Sequence, residues 1–239
     1  MKSRSVAMVD PGGVLRTVSC SPPLTVRQVR VDDPTVCGIC LVGSAAGPLA
    51  GDDVEFELTV ANHGRANVVA AGASIAQGRS GGSPARLRTQ VSVGDFAELD
   101  ATPAPVIVSD GSFVRIELDF QLAATAKVRW RELLVLGRSG ERSGAALLSW
   151  KVDRGGAPLL RQRIDLSERW RFEWPGMLSG QRVLATALVT GPDVEAQTVI
   201  LDSTAVAQQV DEHTALLTVL ASSATDAEFR LDQLLKYWQ

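Results

Sequence analysis

Apolar and polar residues alternate with a period of two along most of this chain. In residues 113–122, apolar side chains occupy every second position, and charged or amide side chains lie between them. Successive side chains of a strand point to opposite faces, so this pattern predicts half-buried β-strands. Six further segments show it: 53–61, 85–93, 127–135, 145–152, 158–166 and 181–190. Clusters of glycine, asparagine, aspartate and proline separate these segments and indicate turns.

Helical periodicity is found near the end of the chain. Thr225 and Glu228 fit a capping box and predict a helix over about 225–238. Residues 203–210 are predicted to form a second, short helix. We therefore expect one domain over 1–239, all-β and mostly antiparallel, with one or two C-terminal helices. The apolar residues at helical spacing are Ala227, Leu231, Leu234, Leu235 and Trp238.

Composition narrows the function classes. The 239 residues carry 24 Lys and Arg against 27 Asp and Glu, for a net charge of −3, so a nucleic-acid partner is not expected. No apolar run approaches the ~18 residues that span a bilayer, and the apolar start is too short for a signal peptide. Three cysteines, an odd number, suit a reducing compartment. We expect a cytoplasmic protein without a membrane partner.

Cys37 and Cys40 form a CxxC motif, which raises metal and redox chemistry. A redox CxxC begins a helix, but the sequence LVGSAAGP that follows cannot propagate one. A structural zinc site needs four ligands, and the remaining cysteine and two histidines are scattered. We interpret the pair as small apolar side chains on a strand. A labile contact with a soft metal is the open alternative.

Nucleophilic chemistry has little support. Ser80 lies in GRSGG, which fits GxSxG, yet a proline and a strand pattern follow where the nucleophile elbow requires a helix. No GxGxxG or GxxxxGK[ST] motif occurs. A hydrolase built on Ser80 is therefore the least favoured alternative.

A glycine-rich stretch follows the strand pattern of 127–135. It contains Gly137, Arg138, Gly140 and Glu141, and glycines at this density indicate a forced turn or a close backbone approach. From geometry alone, this stretch is interpreted as a bulged hairpin with a surface ion pair between Arg138 and Glu141.

Four motifs in a fixed order resemble the urease accessory protein UreD family, also called UreH. Coverage is clearest over residues 20–190. The chain departs from the family at Ala46 and Ala50, where glycine is common, and at Gln162, where many members carry a carboxylate. The CxxC motif is not part of the family pattern. The matching segments are PLTVR (23–27), GPLAGD (47–52), PAPVIVSDG (103–111), and LGRSGE (136–141) followed by GGAPLL (155–160).

The resemblance implies a scaffold rather than an enzyme. Such a protein binds apo-urease and the accessory protein UreF, and UreF recruits the GTPase UreG, which brings nickel. The implied fold is all-β, with short strands stacked in helix-like layers. No tightly bound cofactor is implied, since nickel is in transit through an internal channel.

The same resemblance places channel residues on this sequence. The acid of GD falls on Asp52, the hydroxyl after the small-residue run on Ser74, and the acid before LGR on Glu132. Oxygen ligands suit a passage, because nitrogen and sulfur would hold Ni²⁺ too tightly to release it. Two alternatives stay open: Asp52 as a turn residue bonded to its own backbone, and Glu132 on a solvated strand face. The family-motif residues are Gly51, Gly137, Arg138, Gly140 and Glu141.

A second function class also stays open. The chain would then be an unrelated β-sandwich module that binds a protein or a small ligand in an aromatic cleft. The candidate cleft residues are Trp130, Trp150, Trp170 and Trp174.

Overall fold

The computed structural model describes residues 1–168 and 170–238, leaving aside the side chains of Thr17 and Val18. Its strands form two sheets. The seven-stranded sheet contains β1 (Lys2–Val9), β2 (Leu15–Ser19), β5 (Asp53–Val60), β8 (Ala85–Val93), β11 (Phe113–Leu122), β13 (Ala145–Arg154) and β14 (Ala157–Leu166). The eleven-stranded sheet contains β3 (Leu24–Val29), β4 (Cys37–Gly43), β6 (Arg65–Ala70), β7 (Ser74–Ala76), β9 (Glu98–Ala101), β10 (Val106–Val108), β12 (Lys127–Leu136), β15 (Val183–Thr190), β16 (Val199–Asp202), β17 (Ala205–Asp211) and β18 (Thr214–Ala221).

The chain winds as a flattened coil from β4 to β13. Successive long strands alternate between the two sheets, so each strand pairs in parallel with the strand one turn later. All ten residues of β11, for example, pair in register with β13. The predicted helix-like stacking of layers is confirmed.

The expectation of mostly antiparallel pairing is wrong. Among the described residues, nine of the sixteen strand pairings are parallel. Parallel strands need a crossover, and here the crossovers pass through strands of the opposite sheet. The outer face of the seven-stranded sheet carries charges in cross-strand pairs, such as Arg88 with Asp53 and Glu55. A sheet with one solvent-exposed face shows the period-two alternation whether its strands are parallel or antiparallel.

The main core lies between the sheets. The inward positions of β5, β11 and β12 are buried, as the alternation predicts. Phe120 packs edge-on against Trp130, with ring centroids 5.3 Å apart, and lies 5.8 Å from Trp150. These three rings are part of the buried core between the sheets.

A second core lies on the outer side of the eleven-stranded sheet, under helix α2 (Ala224–Leu235). Strand β15 is therefore buried on both faces. The buried residues of α2 are Ala227, Leu231, Leu234 and Leu235, four of the apolar residues at helical spacing. Trp238, in a short 3₁₀ turn (Lys236–Trp238), packs at its edge.

Two helix predictions need correction. The N-cap is Ser223, whose Oγ accepts a hydrogen bond from Asp226 N, and Thr225 lies inside the helix. Residues 203–210 form a two-residue turn and most of strand β17 rather than a helix, because the chain returns there to pair with β18. The other described helix is one turn long, α1 (Trp170–Glu173).

The glycine-rich loop after β12 is not a hairpin. It joins β12 to β13, which lie in different sheets. The predicted ion pair between Arg138 and Glu141 is confirmed. The guanidinium of Arg182 donates to the backbone carbonyls of Leu136, Arg138 and Glu141 at 2.8–3.2 Å. Gly137 has a φ of +81°, and a Cβ there would lie 2.7 Å from the Arg142 carbonyl oxygen.

A candidate cation passage at Glu132

An inner cavity of about 420 Å³ lies between the two sheets. Its walls are mostly apolar and come from both sheets. Two of the three predicted passage residues, Ser74 and Glu132, line it, and Trp130 forms part of the same wall. The opposite wall includes Phe56, Thr89 and Ile116.

Glu132 is the buried acid of this cavity. Its side chain lies on the inward face of β12 and is 8% exposed, so the alternative of a solvated strand face is wrong. Burial raises the pKa of Glu132 to about 7, opposed by a hydrogen bond of 3.1 Å from Trp130 Nε1 to Oε2. No hydrogen bond to its Oε1 is found among the described residues. A carboxylate with one free oxygen can exchange a proton for a metal ion near neutral pH.

Ser74 lies on the same cavity but not beside Glu132. It is the first residue of strand β7. Ser74 pairs with Val106 of β10, and Val106 pairs in turn with Leu134 of β12. Two strand spacings separate β7 from β12, roughly 10 Å. That backbone separation makes them candidates for successive contacts along the cavity rather than neighbouring ligands of one site.

Asp52 is not among the residues that line the inner cavity. Its Oδ1 accepts from the amino nitrogen of Met1 at 2.6 Å, and its Oδ2 accepts from Leu49 N at 2.8 Å. Burial alone would raise the pKa of Asp52, but these two hydrogen bonds outweigh it and lower the pKa. The geometry is that of a turn carboxylate bonded to backbone, next to Gly47 at the cavity edge.

An outer cavity of about 530 Å³ lies on the other side of the eleven-stranded sheet, between the sheet and α2. Helix α2 contributes Glu228, Leu231 and Asp232 to its wall. Arg131 also lines it and forms an ion pair of 2.8 Å with Asp232. Four residues line both cavities: Gly72, Ala73, Pro103 and Glu132.

Gln162, Trp150, Trp170 and Trp174 line neither cavity, and Trp130 is the one candidate tryptophan that does. Gln162 lies on the edge strand β14, directly opposite Trp150, and lines neither cavity. Trp130 and Trp150 are core residues, whereas Trp170 and Trp174 are more than half exposed. The four tryptophans therefore do not form the aromatic cleft that a ligand-binding module would use.

The CxxC pair is divided between the faces of β4. Cys37 is buried, Cys40 is half-buried, and all three cysteines are free. Burial raises the pKa of the Cys37 thiol, which keeps it protonated. Across residues 1–168 and 170–238, no three His, Cys, Asp or Glu side chains are grouped as a metal centre would require.

The other candidate motifs have structural positions. Ser80 lies in an exposed turn between β7 and β8, with a strand rather than a helix after it. Gly51 has a φ of +80°, and Gly140 has a φ of +76° with open space around its Cβ position. Together with Gly137, Arg138 and Glu141, they shape the turns between sheets and line no part of the inner cavity.

Sequence reasoning missed two features. The sequence suggests Trp130 only as a ligand-cleft residue, although its spacing of two from Glu132 places both side chains on one face of a strand. Gly72 and Ala73 lie in the small-residue run that precedes Ser74. Their place on the same cavity wall as Glu132 depends on strand neighbours that one sequence does not reveal.

The fold is a coil of strands in two sheets, and its candidate site is a buried acid, Glu132, on the wall of an internal cavity. The comparisons give the particular family. The model of the UreD urease accessory protein family matches residues 5–239. The chain belongs to this family, whose members are accessory proteins rather than catalysts.

Relatives named as urease accessory protein UreD match the chain as well. A urease accessory protein UreD of Frankia alni is 36% identical over 203 residues, covering 75% of this chain and 68% of that protein. UreD 1 of Saccharopolyspora erythraea is 37% identical over 187 residues, covering 75% and 72%. UreD of a Parafrankia species is 30% identical over 250 aligned positions, covering 95% and 84%.

Within the described part of the chain, no helix has the length and apolar character needed to cross a bilayer.

Proposed function

We propose that this protein is a scaffold for urease maturation that passes nickel through its interior. It binds apo-urease together with UreF, and through UreF the GTPase UreG, and acts in the cytoplasm. Family membership supports the urease connection. The observation that carries the passage is Glu132, a buried acid on the wall of a cavity between the sheets.

The donor set suits transit rather than storage. Glu132 offers a carboxylate and Ser74 offers a hydroxyl, and both are hard oxygen ligands. Ni²⁺ prefers imidazole and thiolate, so single oxygen contacts hold it weakly and release it to the next site. A buried acid with a pKa of about 7 also favours release, because a proton competes with the metal.

The test is a reconstitution with UreF-type and UreG-type proteins and apo-urease from the same organism. Glu132→Gln keeps the shape and removes the charge. Glu117→Gln, on the outer face of β11 with a 37% exposed side chain, is the matched control. Complex formation is read by pull-down, and transfer is read as nickel per urease active site.

We expect both variants to form the complex, while Glu132→Gln alone loses most nickel transfer. Equal nickel transfer by both variants would reject the passage and leave the scaffold. A wild-type chain that ignores UreF and apo-urease would reject the scaffold itself.

The same assay examines the other two assigned residues. If Asp52 is a passage residue, Asp52→Asn lowers nickel transfer at unchanged stability. If it serves the turn, as its hydrogen bonds to Met1 and Leu49 indicate, the variant lowers stability first. Ser74→Ala keeps the strand and removes the hydroxyl, and we expect a smaller loss of transfer than for Glu132→Gln.

A further inference from the structure

The eleven-stranded sheet is interrupted beside Glu132. Strand β9 ends at Ala101, opposite Trp130, and β10 begins at Val106, opposite Leu134. Residues 131–133 of β12 therefore have no strand partner on this edge. The neighbouring layer breaks at the same level, because β6 ends at Ala70 and β7 begins at Ser74.

The residues that bridge the interruption are small or lack an N–H group. They are Ala71, Gly72 and Ala73 in one layer, and Thr102, Pro103, Ala104 and Pro105 in the next. Proline cannot donate to a sheet ladder, and small side chains leave space. A Cβ added to Gly72 would meet no atom within 4 Å, and its φ is not in the left-handed region.

Glu132 reaches this interruption from the inside. It lines the inner cavity and the outer cavity alike, together with Gly72, Ala73 and Pro103. Its side chain is more than nine-tenths buried, and its Oε1 has no described hydrogen-bond partner. A buried acid with a free oxygen thus lies in the wall that the two cavities share.

The outer cavity is bordered by carboxylates on α2. Asp232 is held by the ion pair with Arg131. Glu228 lines the same cavity, is exposed, and forms no ion pair among the described residues. A free carboxylate at a cavity mouth attracts a divalent cation and raises its local concentration.

We infer that the interruption beside Glu132 is one mouth of the nickel passage, with the outer cavity as its vestibule and Glu228 as its outermost oxygen ligand. This inference rests on the proposed function and adds a position for the mouth. It places the mouth under α2 rather than at the Asp52 turn.

The first test fills the opening. Gly72→Leu places a side chain in the free space without backbone strain, and Gly12→Leu is the matched control. Gly12 is exposed in the turn between β1 and β2, has no left-handed φ, and lines neither cavity. In the reconstituted complex we expect Gly72→Leu to lower nickel transfer roughly threefold or more, with Gly12→Leu close to wild type.

The second test leaves the fold untouched. Glu228→Gln removes the free charge at the vestibule, and Glu212→Gln, whose side chain is 84% exposed in the turn between β17 and β18, is the control. We expect Glu228→Gln to lower the initial rate of nickel transfer about 2- to 5-fold at low salt, with less effect at high salt.

The outcomes separate the mouth from the function. Loss of transfer in Glu132→Gln, Gly72→Leu and Glu228→Gln supports both. Loss in Glu132→Gln with normal transfer in the other two overturns the mouth and leaves the passage. Normal transfer in all three overturns the passage and the mouth together.

Discussion

The indole Nε1 of Trp130 donates a hydrogen bond to Oε2 of Glu132 at 3.1 Å, and both side chains leave β12 toward the opposite sheet. This bond stabilises the charged form of the acid, while burial disfavours it. The balance sets the pH at which the cavity acquires a negative charge.

Removal of the indole donor is expected to raise the pKa of Glu132 further. Trp130→Phe keeps an aromatic ring but loses the N–H group, and the smaller ring costs about 1–3 kcal/mol of stability. Trp150→Phe is the control, because Trp150 is also buried but donates no described hydrogen bond to an acid. Both variants lose stability, and only Trp130→Phe shifts the Glu132 titration, followed by carboxyl NMR.

The buried acid makes stability depend on pH. The folded pKa of Glu132 is about 7 and the ordinary value is 4.5, so the folded state binds more protons between these values. Its contribution is therefore fully present below pH 4.5 and is lost as the pH rises through 7. Glu132→Gln removes this loss, so we expect the variant to gain about 3 kcal/mol over wild type between pH 4.5 and pH 8.

Urea unfolding at both pH values measures this difference. Glu117→Gln should show no comparable gain, since its side chain is exposed on the outer sheet face. A Glu132→Gln variant that follows wild type at both pH values would show that the acid is hydrated and unperturbed.

The guanidinium of Arg182 stabilises the glycine-rich loop by hydrogen bonds to its backbone, whereas the side chain of Arg138 forms an exposed ion pair with Glu141. Arg182→Met leaves the carbonyls of Leu136, Arg138 and Glu141 without their charged donor and is expected to cost about 2 kcal/mol or more. Arg138→Met breaks an exposed ion pair and should change stability little. Thermal unfolding of the two variants side by side distinguishes them; equal losses would contradict this assignment.

Two single substitutions test which residue, Ser223 or Thr225, is the N-cap of α2. Ser223→Ala removes the oxygen that accepts from Asp226 N and is expected to cost about 1 kcal/mol. Thr225→Ala alters a residue inside the first turn and should be neutral or slightly stabilising. If urea unfolding shows the larger loss of stability for Thr225→Ala, then Thr225 is the N-cap, as the sequence predicts.

The strands could be predicted from the sequence, but their neighbours could not. Alternation in β5 and β11 reports which side chains are buried, and the structure agrees. Strand direction leaves no mark on that pattern, because a parallel coil with a wet outer face alternates like an antiparallel sheet. Strand β17 was mistaken for a helix for a related reason: its alternation is weak, and pairing with β18 decides its conformation.

The candidate site was predictable only in part. Glu132 and Ser74 follow from the family resemblance, and the structure places both on one cavity. The interruption beside Glu132 lies between the end of β9 and the start of β10, both of which pair with β12. Its position is set by strand register. Likewise, Ser223 and Thr225 both fit a helix cap, and only the backbone geometry chooses between them.

Gly144 is the position where a single methyl group should damage the coil most. A Cβ there would lie 2.3 Å from the Ser109 carbonyl oxygen and 2.6 Å from that of Ser112. Neither carbonyl can retreat freely, because the first accepts from Ser112 N and Oγ and the second from Ala145 N. We expect Gly144→Ala to cost about 2 kcal/mol or more through this overpacking.

Gly140→Ala is the control: its φ of +76° costs about 1 kcal/mol, but its Cβ meets open space. If urea unfolding finds Gly144→Ala no worse than Gly140→Ala, the turn between β12 and β13 is not held by these carbonyls.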